Sequence, residues 1–73
     1  MKGEKMITNV KLHESTIEIE RDNFQIKTIL LSGMMTPPFK LEHWDGEKIV
    51  IVANEEYKHI LDEYGNFISS EII

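Results

Sequence analysis

Apolar and polar positions alternate over most of this chain. From Met6 onward, Thr8, Val10 and Leu12 fall on one side and Asn9, Lys11 and His13 on the other, the period of two expected of a half-buried strand. After His13-Glu14-Ser15 the alternation resumes, with Ile17 and Ile19 against Glu18 and Glu20. Ser15-Thr16-Ile17-Glu18 also fits a helix capping box, but the segment is crowded with β-branched residues and lacks an apolar stripe at i, i+3, i+4. A strand is the better reading. Arg21-Asp22-Asn23 has turn chemistry and residues 24–28 alternate again, which makes 16–20 and 24–28 a hairpin. Ile29-Leu30-Leu31 is apolar on both faces, as a bulge or cover from both sides would require.

Gly33-Met34-Met35-Thr36-Pro37-Pro38 interrupts the pattern as a loop stiffened by prolines, which cannot donate to a sheet ladder. Residues 39–44 and 47–52 then flank Asp45-Gly46, the strongest short hairpin signal in the chain. A two-residue loop at Asp45-Gly46 sets Trp44 opposite Glu47 and Leu41 opposite Val50. In that register Phe39, Leu41, Val50 and Val52 form the core face. Trp44, Ile49 and Ile51 share a mixed face with Lys40, Glu42 and Glu47.

The expected cover for the mixed face is a short helix over residues 55–64. Asn54 suits its N-cap, Glu55 and Glu56 its positive end, and Gly65 its stop. Tyr57, Ile60, Leu61 and Tyr64 supply the apolar stripe. Tyr64-Gly65-Asn66-Phe67 as the turn of another hairpin is the competing reading. A last strand follows from Phe67 to about Ile72. The element order predicts an α+β, strand-dominated fold: a small curled antiparallel sheet or partly open β-barrel of about five to six strands with one short helix. Residues 1–5 are expected to be a disordered amino-terminal segment and residues 6–73 a single compact β-rich domain.

Size sharpens the stability problem. A chain of 73 residues buries only roughly 60 % of the surface it exposes when unfolded. Cysteine is absent, which excludes disulfides and removes the best structural zinc ligands. A well-packed core, oligomerisation as a homodimer, or both must serve instead. Acidic residues outnumber basic ones by 13 to 8, a net charge of −5. That balance, with lysines scattered along the chain, disfavours nucleic acid as a ligand; such an excess usually serves solubility, and recognition of a basic protein partner is the minority reading. The chain start has no signal-peptide core and no apolar run is long enough to span a bilayer, so a cytoplasmic location without a membrane role is expected.

Candidate chemistry is sparse. The glycines at 3, 33, 46 and 65 are isolated and cannot build a phosphate cradle. His13, His43 and His59 lack metal-ligand spacing, and Ser15, Ser32, Ser69 and Ser70 lack a nucleophile elbow. The carboxylate pairs Glu18/Glu20 and Glu55/Glu56 have structural explanations in a strand face and a helix start. No enzyme activity, cofactor or metal is therefore expected. Two apolar features remain: Trp44 with Ile49 and Ile51, and Met34, Met35, Pro37 and Pro38. Aromatic anchors and adaptable methionines suit protein contacts. The chain reads as a non-enzymatic, acidic protein-interaction domain: an adaptor, an accessory subunit, or an inhibitor of a larger protein such as one that handles nucleic acid. A small barrel that stacks a small ligand or single-stranded nucleic acid on its aromatic residues is the first alternative, and a small enzyme or enzyme subunit with an unrecognised site is the second.

Overall fold

Strands account for every regular element of the computed structural model, which describes residues 6–22 and 25–73. They are β1 (Ile7–Leu12), β2 (Thr16–Arg21), β3 (Ile26–Leu30), β4 (Phe39–Trp44), β5 (Lys48–Ala53), β6 (Tyr57–Asp62) and β7 (Phe67–Ile72). The first three form one antiparallel sheet in the order β1-β2-β3, and the other four a second in the order β4-β5-β6-β7. Each strand pairs only with its neighbours in the chain. The expected amino-terminal disorder at 1–5, and the turn and strand positions Asn23 and Phe24, lie outside the described residues.

The fold is thus all-β, which corrects the expected α+β class: there is no helix among the described residues and no closed barrel. The stretch expected to be helical is mostly β6, and its capping signals are turn signals. Asn54 and Glu55 both adopt left-handed conformations, with φ of 56° and 57°, and Glu56 N donates to Ala53 O at 3.1 Å to close the β5–β6 turn. At the other end Gly65, with φ of 86°, donates to Asp62 O at 3.0 Å. Asp62 Oδ1 accepts from the amides of Tyr64 at 2.8 Å and Asn66 at 2.9 Å, so one carboxylate organises the β6–β7 turn. A left-handed Gly or Asn ends a helix and also reverses a hairpin. The pairing of β6 with strands on both sides decides between them.

The β4–β5 hairpin shows a second correction. Its loop is Gly46-Glu47, one residue later than expected, with Asp45 N donating to Lys48 O at 3.0 Å. Asp45 Oδ1 accepts from the amides of Glu47 at 2.8 Å and Lys48 at 2.9 Å, placing Asp45 at the turn's entrance. Trp44 therefore pairs with Ile49, and Leu41 with Ile51. That shift moves Trp44's partner by two residues, from Glu47 to Ile49, so Trp44 stays on the face of Ile49 and Ile51, and it is this face that meets the core. Ile49 and Ile51 become fully buried, while Val50 and Val52 turn outward and are half-buried. A bulge between Leu41 and His43 keeps Phe39, Leu41 and Trp44 together on the inner side.

The inner faces of the two sheets share one core. Ile17 and Ile19 of β2, Ile49 and Ile51 of β5, Leu61 of β6 and Leu31 beyond β3 are its fully buried residues, joined by Ile7, Val10, Met35 and Ala53. The apolar run after residue 28 has no bulge. Ile29 points inward, Leu30 outward at 58 % exposure, and Leu31 enters the core, held by its amide bond to Ser15 O at 2.8 Å. One flank of the structure is closed where β1 approaches β4, and Ile7 N donates to Gly46 O at 2.9 Å. On the other flank the β6–β7 turn meets the first sheet: a Cβ at Gly65 would collide with the Ile29 side chain.

Two outcomes follow for stability. Gly65→Ala meets both the left-handed penalty and the Ile29 contact, and should lower the unfolding free energy in urea by roughly 2–4 kcal/mol. Gly33→Ala, which meets nothing within 4 Å, should change it by less than about 0.5 kcal/mol. Equal effects would refute this assignment of Gly65. Second, the amides of Glu47 and Lys48 hold the Asp45 carboxyl below its ordinary value of 3.8. A carboxylate with a depressed folded-state pKa contributes stability in full above its unfolded value and loses it as pH falls through the folded value. NMR titration of Asp45 should give a midpoint below 3.8, and Asp45→Asn should flatten that part of the acid limb of stability.

Candidate functional site

The residues singled out from sequence do not assemble into one surface. Ile49 and Ile51 are 0 % exposed, and Met35 is buried with them. Trp44 is half-buried against the same core. Met34, Pro37 and Pro38 remain exposed on the connection before β4, and Pro38 O accepts from Asn54 N at 2.8 Å. The apolar surface lies elsewhere. Tyr57, Tyr64, Phe67, Ile68, Ile72 and Ile73, six of the ten exposed large hydrophobic residues described, belong to β6, β7 and their ends.

Sheet size explains why. A three-stranded sheet faces a four-stranded one, and with β1 beside β4 the uncovered strand is β7. All six of its residues are exposed. Leu61 points into the core, so alternation and register put Phe67, Ser70 and Ile72, with His59 and Tyr57, on that same inner face. There they form an open margin. The rings of Tyr57 and His59 stack at 6.0 Å, those of His59 and Phe67 at 5.4 Å, and His59 Nδ1 lies 2.7 Å from Ser70 Oγ.

The backbone of β7 is also available. Ile73 N donates to Glu56 O at 2.8 Å, which fixes the phase of the ladder. Glu71 and Ser69, at even spacing from Ile73, turn their amides toward β6; Ser70 and Ile72 turn theirs outward. The other edges are blunted. Lysines stand on β1 (Lys11), β3 (Lys27) and β4 (Lys40); bulges interrupt β1 and β4, and one at Ile68 interrupts the start of β7. Strand β7 carries no lysine or proline.

Charge gathers on the same hairpin. Residues 54–73 hold the carboxylates Glu55, Glu56, Asp62, Glu63 and Glu71 against the single lysine Lys58, a net of −4 within the chain's −5. Lys58 Nζ already lies 3.4 Å from Glu42 Oε1. An open groove of about 460 Å³ at the Ile73 end includes Pro38, Val52, Glu42 and Glu55 in its walls. Another, of about 290 Å³ at the Ile68 end, includes Met6, Glu47, Asp62 and Glu63. Each also contains one lysine, Lys40 in the first and Lys48 in the second, so carboxylates outnumber cations by two to one and three to one.

Arg21 was not apparent from sequence as a special residue. It ends the inward-facing series Ile17, Ile19 of β2 and is buried, with Nη2 donating to Gln25 Oε1 at 2.7 Å and Cζ 4.6 Å from the Tyr64 ring centroid. That cation–π contact ties the first sheet to the β6–β7 turn. No group of three or more metal-ligating side chains gathers among the described residues. No helix among them is long and apolar enough to cross a membrane. Comparison with family models, curated proteins and solved structures finds no match to the chain.

If Arg21 anchors the turn, Arg21→Met should leave the sheets folded and loosen Tyr64. The expected readout is faster amide exchange at Tyr64 and Gly65, with the β5 amides unchanged. Uniform loss of protection across both sheets would show instead that Arg21 holds up the whole core.

Proposed function

We propose that this chain is a non-enzymatic, cytoplasmic protein-interaction domain, an adaptor, accessory subunit or inhibitor, and that its contact surface is the β7 edge. The observation that carries this reading is the coincidence, on one hairpin, of an uncovered edge strand with most of the exposed large hydrophobic side chains. Exposed apolar patches beside unpaired strand edges are interaction surfaces or aggregation hazards, and folded proteins normally blunt such edges. The other three edges of this fold carry lysines, whereas β7 carries none and is interrupted only at its start, by the bulge at Ile68.

The alternatives have less support. The His59–Ser70 contact resembles a base beside a nucleophile, but among the described residues no carboxylate orients His59 and no cleft encloses the pair. The Tyr57–His59–Phe67 row could stack a planar ligand, yet single-stranded nucleic acid would approach it through a hairpin of net charge −4.

Phe67→Ser with Ile72→Lys tests the proposal, since both side chains are exposed and the fold should lose little stability. Partners captured from lysate by the unaltered chain should be lost from the double variant. Capture that survives in full, with the variant folded by circular dichroism, would remove β7 as the contact surface.

A further inference from the structure

We infer that the occupant of the β7 edge is an extended, lysine- or arginine-bearing polypeptide segment, which adds to the second sheet as a fifth strand; this rests on the interaction surface proposed above. The ladder supplies affinity of a kind that any peptide can use. Ser70 and Ile72 direct their N–H and C=O groups away from β6, so a strand laid alongside finds donors and acceptors at the antiparallel or parallel repeat.

Side-chain chemistry selects the occupant. On the inner side the added strand meets Phe67 and Ile72, with Tyr57 behind them, an apolar margin. On the outer side it meets Glu71, whose cross-strand neighbour Lys58 is already engaged by Glu42. Beyond the strand ends lie further carboxylates of the same hairpin, Glu55 and Glu56 before β6, Asp62 and Glu63 at its turn into β7. A segment that alternates apolar and basic residues satisfies both sides at once, because successive side chains of a strand point to opposite faces. A second copy of the chain fits less well, since its own β7 hairpin would bring −4 against −4.

The probe is a blocked eight-residue peptide of alternating valine and lysine, titrated into the full chain and followed by amide NMR. Saturable shifts should centre on Ser70 and Ile72, and binding should weaken at least tenfold between 50 mM and 500 mM salt, as expected for opposed charges in reach of solvent. Ser70→Pro removes an outward amide without touching the ladder to β6, a substitution edge strands tolerate. It should weaken binding at least tenfold, whereas Ser70→Ala, which loses only the hydroxyl contact to His59, should change it less than twofold. Glu63→Lys with Glu71→Lys should also weaken it at least tenfold.

Equal binding of the corresponding valine–glutamate peptide would overturn the basic occupant while leaving β7 as an interaction edge. So would failure of the lysine peptide to bind while lysate capture still depends on Phe67 and Ile72. Shifts centred on β3 or β4 would overturn the inference at its edge. Light scattering that finds a dimer, with Ser70 and Ile72 amides protected, would make a second copy the occupant. Tighter binding of an oligothymidylate than of the lysine peptide would make it single-stranded nucleic acid.

Discussion

Four isoleucines from two strands hold this fold together. Ile17 and Ile19 from β2, and Ile49 and Ile51 from β5, are fully buried in one cluster at the middle of the two sheets. Burying each contributes about 1.5–3 kcal/mol, a large share of what so small a domain can muster. The whole arrangement depends on both pairs facing inward. In β4 the bulge brings Phe39 and Leu41 onto the face that Trp44 shares with Ile49 and Ile51, and the side-chain bonds of Asp45 fix the turn that pairs Trp44 with Ile49.

The core also determines where the surface is left unfinished. Three strands can cover three, so among the described residues no strand lies opposite the fourth strand of the larger sheet. The exposed margin of β7 is a direct product of unequal sheet sizes, and the carboxylates of residues 54–73 collect around it. The β6–β7 hairpin is not loose, however. Gly65 against Ile29, and Arg21 over Tyr64, fasten its turn to the first sheet and leave the length of β7 free.

Much of the strand pattern was legible, because alternation over residues 7–12, 16–20 and 39–44 records which side chains meet water. Two features were not. In β6 the inner positions are Tyr57, His59 and Leu61 and the outer ones Lys58, Ile60 and Asp62, so polar residues stand on both faces and the period of two is lost. What survives is an accidental spacing of Tyr57, Ile60, Leu61 and Tyr64 that imitates a helix. Its apparent caps arise because Asn54 and Gly65 adopt the left-handed backbone that helix ends and hairpins both use. The register of β4–β5 was equally hidden, since Asp-Gly permits turns that differ by one residue and only the side-chain bonds of Asp45 choose between them. The candidate site was illegible for a related reason: Phe67, Ile68 and Ile72 look like any strand until one knows that, among the described residues, no strand lies across from them.

The unbroken succession of neighbouring strands also bears on how the chain reaches this structure. Every ladder forms between segments joined by a few residues, so each hairpin closes a short loop at small entropic cost. Only the docking of one meander on the other, across the connection at residues 31–38, joins distant parts of the chain. Folding speed falls as contacting residues become more distant in sequence, which places this topology toward the fast end for all-β domains. Its slowest step is then the meeting of the isoleucines of β2 and β5.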